Sequence, residues 1–464
     1  MKYLHEFRDP VHDFIEVTGH ERAIVDSRAV QRLRHINQLA LTNLVYHGTT
    51  HKRFEHSLGV MHLAGVAFDE LTADQNVSDE VRELIPELSQ PNNFAYWRTV
   101  VRMAALCHDL GHLPFSHAAE HEMLPVGYTH ERISSEVILS DELAALLDAM
   151  TPPVRPEVVA KLAVGPKESS SSFSIWEAIL SEIVTGNAFG VDRMDYLLRD
   201  SLHAGVEYGK FDHRRLIQSL RLLSPPSGES DDELSAPVVG IDIGGINSAE
   251  ALLLARYHMF GQLYFHPVRV AYDLHLVDFL RAWLPSGKFS VDVESHLNMT
   301  DNEVWVAMRE ASMDADHPAH EPASRIWRRD HFKLLYVASH SDEQIVDRPG
   351  TVIAEWASQE FGPESVRHRN PRKSGGTVDF PVRLSGGGIE SSLGVSETIA
   401  RLPTNSFDLV FMNPEVRDRA RKKLTPDAVA EILHDAADRL AEEEDAEAAS
   451  LQLNPTHTES GDQK

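Results

Sequence analysis

The sequence is poor in cysteine and contains no long apolar run. A single cysteine among 464 residues cannot form an internal disulfide, which excludes a disulfide-stapled secreted domain and favours a reducing compartment. Without a run of about 18 apolar residues, no membrane-spanning helix is expected. The stretch MKYLHEFRDP mixes charged and apolar residues and lacks the apolar core of a signal peptide, so we expect a cytoplasmic protein.

Positive charge is also scarce. Lys and Arg total 44 against 71 Asp and Glu, which gives a formal net charge of −27. Binding to nucleic acid by general electrostatics needs a basic footprint, so this balance argues against DNA or RNA as a partner. Hydrophobic residues make up 42% of the chain, which is enough for a packed globular core.

The distribution of apolar residues predicts a mainly α protein. Helical spacing dominates 1–285, which we assign to a helical core with a short β-ribbon. Beyond it, short β-branched and aromatic runs alternate with helix-like stretches, so 286–440 is expected to form a smaller α+β C-terminal domain. The segment 441–464 is acidic and lacks apolar periodicity, and it is predicted to be a disordered tail.

Histidine, in contrast, is abundant, and the 26 copies include one dense group. The string HDLGHLPFSH places His108, Asp109, His112 and His117 within ten residues. A lone His-Asp pair is more often a chance surface pair, and many buried histidines are only satisfied core residues. Three histidines and an aspartate in one short string favour a chemical site over both alternatives.

Other segments supply residues of the same kinds. His56 lies in RFEHSLG, Asp192 in GVDRMDY and His130 in THERIS. Imidazole and carboxylate ligands together suit Fe, Mn, Zn, Co or Ni, with some tolerance for Mg. Neighbouring residues on a helix point about 100° apart, so the adjacent His108 and Asp109 can bind one ion from two sides. We therefore expect a divalent metal site that can acidify water and polarise phosphorus.

These strings, together with FRDPVHDFIEV near the start, resemble the motifs of HD-domain phosphohydrolases. In motif order and spacing, 7–337 is similar to the deoxynucleoside triphosphate (dNTP) triphosphohydrolases. The resemblance implies a metal-dependent enzyme that hydrolyses a dNTP at the α-phosphorus, giving deoxynucleoside and tripolyphosphate. The HD ligands alone also allow a phosphohydrolase of nucleoside monophosphates, cyclic nucleotides or alarmones, and a third hypothesis is a nucleotide-binding regulator without catalysis.

The resemblance also assigns roles to individual residues. The implied metal ligands are His56, His108, Asp109 and Asp192. The implied catalytic group is His112, His117, Glu120 and His130. Within it, His117 would be the general acid, because a leaving alkoxide needs a proton and histidine titrates near pH 7. Relatives carry an aspartate where this chain has Glu120, whose carboxylate is one methylene further out.

Substrate contacts are implied in the same way. Arginine suits bidentate phosphate contacts, and the matching positions hold Arg53, Arg193 and Arg256. The implied sugar pocket consists of Gln38, Leu39, Tyr196, Asp200 and Tyr264. Asp200 and Gln38 would hydrogen-bond a 3′-hydroxyl, while Leu39 and Tyr264 would crowd carbon 2′ and exclude ribose. The alternative for each residue alone is an ordinary surface charge or core side chain.

In relatives, nucleotides bound between subunits activate the enzyme. The resemblance therefore implies a nucleotide activator, and it also implies a homodimer or homotetramer. The matching positions are Asp26, Gln31, Arg34, Arg215, Arg329 and Lys333. Several expected basic residues are missing, since His5 and Pro267 stand where lysines are expected and 240–248 contains neither Lys nor Arg. An activator would therefore bind through contacts that differ from those of the relatives.

Overall fold

A computed structural model gives the fold, and it describes residues 4–118, 120–224, 235–370, 378–403 and 407–453. For residue 121 and for 443–453 only the backbone is described. Within the described ranges, no helix combines the length and the apolar character that crossing a bilayer requires.

Helices dominate the described chain, which confirms the predicted mainly α class. In chain order the helices are α1 Gly19–Val25, α2 Arg28–Arg32, α3 Arg53–Leu71, α4 Asp79–Leu84, α5 Phe94–Cys107, α6 Glu120–Met123, α7 His130–Ile138, α8 Asp141–Asp148, α9 Pro156–Glu168, α10 Ile175–Thr185, α11 Val191–Ala204, α12 His213–Gln218, α13 Ile246–Met259, α14 Pro267–Trp283, α15 Val293–Leu297, α16 Asp301–Met313, α17 His320–Trp327, α18 His340–Ile345, α19 Pro349–Phe361, α20 Ser392–Val395, α21 Glu397–Ala400, α22 Pro414–Lys423 and α23 Pro426–Leu453. The strands are β1 Leu4–Asp9, β2 Asp13–Thr18, β3 Leu220–Leu223, β4 Val238–Asp242, β5 Lys333–Val337, β6 Val366–Arg369, β7 Pro381–Arg383, β8 Ile389–Ser391 and β9 Leu409–Met412. A π-helical turn at Phe260–Tyr264 separates α13 from α14.

The described chain divides into two compact units. The first contains 4–328 and 378–403, and the second contains 329–370 and 407–453. This division differs from the predicted boundary after residue 285. Helices α15 to α17 belong to the first unit because α17 packs on α14, and because the buried His296 donates from Nε2 to the carbonyl of Leu110 at 3.1 Å.

The segment predicted to be a disordered tail is helical over 441–453, where it continues α23. Ala and Glu dominate AEEEDAEAAS, and both have high helix propensity. The segment is therefore helical although its sequence has no apolar stripe. The absence of that stripe is the feature that predicts disorder here. The rest of the predicted tail, 454–464, lies outside the described residues.

Among the described residues the strands form three small sheets. β1 and β2 pair antiparallel as the predicted short ribbon. The second sheet, in the first unit, has the order β3-β4-β7-β8. The third, in the second unit, has the order β5-β9-β6 with both outer strands antiparallel to β9. Val410 and Met412 of β9 pack in one buried cluster with Ile353 of α19 and Leu433 of α23.

Three helices position the motif residues within the first unit. α3 carries His56 and packs against both α5, which ends just before His108, and α11, whose first turn contains Asp192. Gly59 permits the close approach of α3 and α11, because a Cβ there would lie 1.9 Å from Oδ1 of Asp195. The motif residues therefore lie on a rigid helical frame.

Gly111 lies where the HDLGH turn meets α7. A Cβ on residue 111 would lie 2.0 Å from the backbone oxygen of His130 and 2.4 Å from the backbone nitrogen of Ser134. Because these backbone atoms cannot move aside cheaply, Gly111→Ala should lower the free energy of unfolding by about 2–3 kcal/mol. Urea unfolding followed by circular dichroism measures this change.

Gly19→Ala is the matched control for Gly111→Ala. A Cβ on Gly19 meets no atom within 4 Å. We expect its free energy of unfolding to stay within about 0.5 kcal/mol of the wild-type value. Equal free energies of unfolding for Gly111→Ala and the wild type would contradict the close packing of this turn against α7.

Candidate functional site

The four predicted metal ligands converge in the first unit. The Nε2 atoms of His56 and His108 lie 3.1 and 3.4 Å from Oδ1 of Asp192. Asp109 completes the group, with Oδ1 3.2 Å from Nε2 of His108 and Oδ2 3.6 Å from Nε2 of His56. The side chain of Asp192 is 30% exposed, whereas the other three are almost completely buried. Two imidazoles and two carboxylates therefore surround one small volume that is open on the side of Asp192.

Hydrogen bonds on the far side of each imidazole fix its tautomer. Nδ1 of His56 donates to Oδ2 of Asp195 at 2.8 Å, and Nδ1 of His108 donates to the carbonyl of Ala105 at 2.8 Å. Each Nε2 then faces the two carboxylates, where it can hold either a proton or a metal ion. Nε2 of His108 is buried and has no hydrogen-bond partner among the described residues. Two imidazole nitrogens and two carboxylates that converge in this way form a set of ligands that fits a metal ion, which would take the place of the protons.

The carboxylates around His56 favour its protonated form when no metal is bound. Burial lowers the pKa of His56, but the hydrogen bonds with Asp192 and Asp195 outweigh burial and raise this pKa to about 10. Asp109 adds a third carboxylate near the same ring. A divalent cation would take the place of the proton on Nε2 of His56. Nitrogen and oxygen ligands together suit Fe, Mn, Zn, Co or Ni, with some tolerance for Mg.

A buried ionic network behind His56 was missed by the sequence analysis. Asp195 accepts hydrogen bonds from Nε and Nη2 of Arg199 at 2.9 Å each, and from Nε2 of His12 at 2.7 Å. Arg199 also donates to both oxygens of Asp9, at 2.9 and 3.3 Å. The string DRMDYLLRD contains the signal, because its second Asp and its second Arg stand three and seven residues after its first Asp, on one helix face.

The predicted catalytic group forms a second cluster beside the metal ligands. Glu120 bridges two imidazoles, with Oε2 3.0 Å from Nδ1 of His117 and Oε1 2.6 Å from Nδ1 of His130. The rings of His112 and His130 stack at 4.0 Å, and Nε2 of His112 lies 3.2 Å from Oδ1 of Asp109. Glu120 therefore reaches His117, the histidine that the resemblance pairs with it, and it contacts a second histidine as well.

The members of this cluster differ in their pKa values and in their exposure to solvent. Burial and the nearby Arg53 hold the pKa of His112 well below its ordinary value, so this ring is neutral at pH 7. Burial raises the pKa of Glu120, but the hydrogen bonds from His117 and His130 outweigh it and keep this pKa below its usual range. The side chain of His117 is 63% exposed. An accessible imidazole thus has an ionised carboxylate behind it, which orients its ring.

The three predicted phosphate-binding arginines have different surroundings. Arg53 is buried, pairs with Asp109 and donates from Nε to Oγ of Ser116 at 2.7 Å. Arg193 donates to two backbone carbonyls of the preceding loop, and its buried Nε has no partner among the described residues. Burial and the charge of Arg193 together lower the pKa of Arg256 to about 10. Arg193 and Arg256 are therefore neighbouring cations, and neither forms an ion pair with a carboxylate in the described part of the chain.

Several residues of the predicted sugar pocket lie together. The hydroxyl of Tyr264 donates to Oδ2 of Asp200 at 2.7 Å, and the ring of Tyr196 lies 6.1 Å from that of Tyr264. Tyr264 is the last residue of the π-helical turn, a rare element that is frequent at functional sites. Gln38 has a buried Oε1 that lacks a partner among the described residues, and Leu39 packs in the hydrophobic core.

The loop that contains His117 is braced from behind by Asp301, the first residue of α16. Asp301 accepts hydrogen bonds from the backbone nitrogens of Asn37 and Phe115, at 2.8 Å each. Burial raises the pKa of Asp301 to about 6 despite these bonds. Phe115 and Ser116 have φ values of 59° and 56°, which are strained for residues with a side chain. One carboxylate therefore holds the strained histidine loop to the segment around Asn37.

The predicted activator residues fall in both units. The first unit contains Asp26, Gln31, Arg34 and Arg215, and the second contains Arg329 and Lys333. Asp26 pairs with Arg22 at 2.7 Å, and Oε1 of Gln31 accepts from Nε of Arg34 at 2.9 Å. A nucleotide that used these side chains would have to replace their existing bonds.

Comparison with known proteins assigns the chain to a family. The HD domain family model matches residues 53–165, and the model of the HD associated region matches residues 211–358. A crystal structure of a hypothetical protein from Aquifex aeolicus is similar with a TM-score of 0.72 and 30% sequence identity, covering 91% of this chain and 100% of that one. The chain belongs to the HD-domain phosphohydrolase family.

Individual relatives include one of named activity. The uncharacterized protein YwfO of Bacillus subtilis is 34% identical over 278 residues, covering 59% of this chain and 54% of that protein. The deoxynucleoside triphosphate triphosphohydrolase SAMHD1 of Homo sapiens is 30% identical over 328 residues, covering 63% of this chain and 49% of that protein. The chain thus spans about half the length of these relatives. The resemblance drawn from the sequence motifs is confirmed.

Proposed function

We propose that this chain is a metal-dependent dNTP triphosphohydrolase that releases deoxynucleoside and tripolyphosphate. The observation that carries the proposal is the pair Arg193 and Arg256, two neighbouring cations around Tyr196, of which Arg193 directly follows the predicted metal ligand Asp192 on α11. A triphosphate would supply several negative charges to this pair, whereas a monophosphate supplies fewer. The similarity to a named triphosphohydrolase supports the same substrate class.

The pocket around Asp200 supports a nucleoside end for the substrate. The buried, unpartnered Oε1 of Gln38 can accept a hydrogen bond from a sugar hydroxyl. Each carboxylate oxygen can accept two hydrogen bonds, so Asp200 has acceptor capacity beyond the bonds from Tyr264 and His51. The ring of Tyr264 would then crowd carbon 2′, so that deoxyribose fits better than ribose.

The proposed chemistry uses a proton donor beside the predicted metal ligands. A divalent ion held by the four predicted ligands would acidify a water molecule and polarise a phosphate oxygen. Hydrolysis adds water to the α-phosphorus and breaks its bond to O5′, so O5′ must receive a proton. The accessible His117 donates that proton, while Glu120 holds its ring through Nδ1. The neutral His112 completes the pocket wall without adding charge.

Arg256→Ala should lower kcat/KM for dNTPs by about 10- to 100-fold, because a hydrogen bond to a charged phosphate contributes about 1.5–3 kcal/mol. The loss should appear mainly as a higher KM. Steady-state kinetics with metal-loaded protein measure both constants, and metal analysis should show wild-type metal content, since Arg256 is not a predicted ligand.

Arg155→Ala is the matched control, because the Arg155 side chain is 73% exposed and lies outside every motif. Its kinetics should equal those of the wild type within about twofold, as for an ordinary surface substitution. If Arg256→Ala and Arg155→Ala had the same kcat/KM, the pair of cations would have no role in substrate binding.

The overall proposal is tested by product analysis. Purified metal-loaded protein is incubated with each dNTP and each ribonucleotide triphosphate in turn, and the products are separated by chromatography. We expect deoxynucleoside and tripolyphosphate from the dNTPs. Monophosphate with pyrophosphate, or free phosphate alone, would overturn the proposal. Turnover of monophosphates, cyclic nucleotides or alarmones in place of dNTPs would favour another HD phosphohydrolase.

Nucleotide activation, assembly into a homodimer or homotetramer and a cytoplasmic location stay predictions from the sequence. Light scattering with and without added dNTPs tests the assembly. Activity assays with pairs of nucleotides test activation, since an activator raises turnover of a second nucleotide. Equal basal and supplemented rates for every pair would contradict the activator hypothesis.

A further inference from the structure

His51 and Asp200 form a completely buried hydrogen-bonded pair. Nε2 of His51 lies 2.7 Å from Oδ1 of Asp200, and the two side chains are 0% and 1% exposed. An ionised carboxylate can only accept hydrogen bonds, so the Nε2–H group of His51 donates. His51 was not predicted as a site residue, yet it holds one oxygen of a residue that was. The fold itself therefore fixes the position of that oxygen.

The other oxygen of Asp200 fixes Tyr264. The Tyr264 hydroxyl donates to Oδ2 of Asp200 at 2.7 Å. Burial and the negative charge of Asp200 raise the pKa of Tyr264 well above its ordinary value, so the phenol keeps the proton that it donates. Asp200 is thus a link between His51 and Tyr264, and a displaced carboxylate would displace the aromatic ring.

His51 is itself held by backbone and ring contacts. Its carbonyl accepts from the backbone nitrogen of Gln38 at 3.1 Å, beside an antiparallel bridge between Asn37 and Lys52. Its ring stacks on that of His203, with 4.3 Å between centroids and 16° between planes. His51 is therefore a rigid donor, and Gln38, with its unpartnered Oε1, is tied to the same residue.

We propose that His51 is a positioning residue that sets the preference for deoxyribose over ribose, by holding Asp200 and, through it, Tyr264. The inference rests on the proposed function, since Tyr264 is expected there to crowd carbon 2′. A ring that is bonded to a fixed carboxylate cannot swing aside for a 2′-hydroxyl. Fixed groups discriminate between similar ligands, whereas groups that relax accept both.

Two substitutions of His51 separate positioning from packing. Glutamine places an amide N–H group near the position of the histidine Nε2, whereas asparagine is one methylene shorter and does not reach Asp200. Both remove the ring that stacks on His203, so both lose similar packing. A difference between the two variants therefore reports the hydrogen bond to Asp200.

With the metal-loaded full chain, His51→Asn should lower the ratio of kcat/KM for dATP to that for ATP about tenfold, equivalent to about 1.4 kcal/mol of discrimination. The change should appear as a higher KM for dATP and a gain of turnover with ATP. His51→Gln should keep the ratio within about threefold of wild type. Both variants should bind wild-type amounts of metal.

Tyr264→Phe tests the other end of the link. It removes only the hydroxyl that bonds to Asp200, and it should lower the dATP to ATP ratio about as far as His51→Asn does. The double variant should be no worse than the poorer single variant, because both substitutions break one chain of contacts. Additive losses would show that His51 does not act through Tyr264, and would overturn the inference.

Binding of non-hydrolysable α,β-imido analogues of dATP and ATP separates this inference from the proposed function. Calorimetry should show that the wild type and His51→Gln prefer the deoxy analogue and that His51→Asn has lost this preference. Equal affinities in the wild type, or an intact preference in His51→Asn, would overturn the inference whatever the turnover. An intact preference without release of tripolyphosphate would overturn the proposed function alone.

Discussion

Asp192→Asn should leave the protein folded but without bound metal, and should lower dNTP turnover by about a thousandfold or more, since metal catalysis contributes several kcal/mol. Oδ1 of Asp192 lies within 3.4 Å of Nε2 of both His56 and His108, so it is the oxygen that the two imidazoles share. An amide has no negative charge and offers one oxygen. Metal analysis after dialysis and a product assay measure the two losses.

Asp79→Asn is the matched control for Asp192→Asn, because Asp79 is an exposed aspartate in the first turn of another helix, α4. It should retain metal and turnover. The Asp192→Asn protein should also unfold at a temperature close to that of the wild type, since Asp192 is partly exposed. Full metal content and full turnover in Asp192→Asn would contradict the assignment of the metal centre.

Asp195→Ala should lower the free energy of unfolding by about 3–5 kcal/mol, the usual cost of removing one partner from a buried ion pair. Arg199 is fully buried and would keep only Asp9 as a charged partner. His12 and His56 would each lose the acceptor of a short hydrogen bond. Chemical unfolding in urea, followed by circular dichroism, measures the loss.

Asp195→Asn separates the charge from the shape of this side chain. The amide oxygen can still accept from Arg199 or from Nδ1 of His56, so the loss of unfolding free energy should be smaller than for Asp195→Ala. Metal affinity should still fall by about 10- to 100-fold, as expected for the partner behind a ligating histidine. Wild-type stability for Asp195→Ala would show that this network does not support the fold.

Much of the site could be predicted because the motifs are short and local. HDLGHLPFSH brings the predicted ligand pair and two further histidines to one turn, whichever way the rest of the chain folds. Glu120 stands where the resemblance expects an aspartate, and the sequence does not show which side chains its longer carboxylate contacts. The structure shows that one extra methylene lets the carboxylate bridge His117 and His130, which a comparison of residue types alone cannot reveal.

The remaining features depend on contacts between distant segments. Asp195 and Arg199 share one face of α11, but the sequence does not show that Asp9 and His12 are their partners. His51 is linked to the site only through its hydrogen bond with Asp200, which lies 149 residues later in the sequence. The two compact units differ from the predicted domains for the same reason, since apolar periodicity reports which face of a helix is buried but not which neighbour covers it.

The hydrogen bonds accepted by Asp301 determine when the histidine loop can reach its final conformation during protein synthesis. Its two backbone partners, Asn37 and Phe115, precede it by 264 and 186 residues. A nascent chain that has not yet exposed Asp301 has neither acceptor for those amides, and buried unpaired amides are costly. We therefore expect the histidine loop to reach its final form only after translation has passed α16, with the slow closure typical of contacts between distant segments.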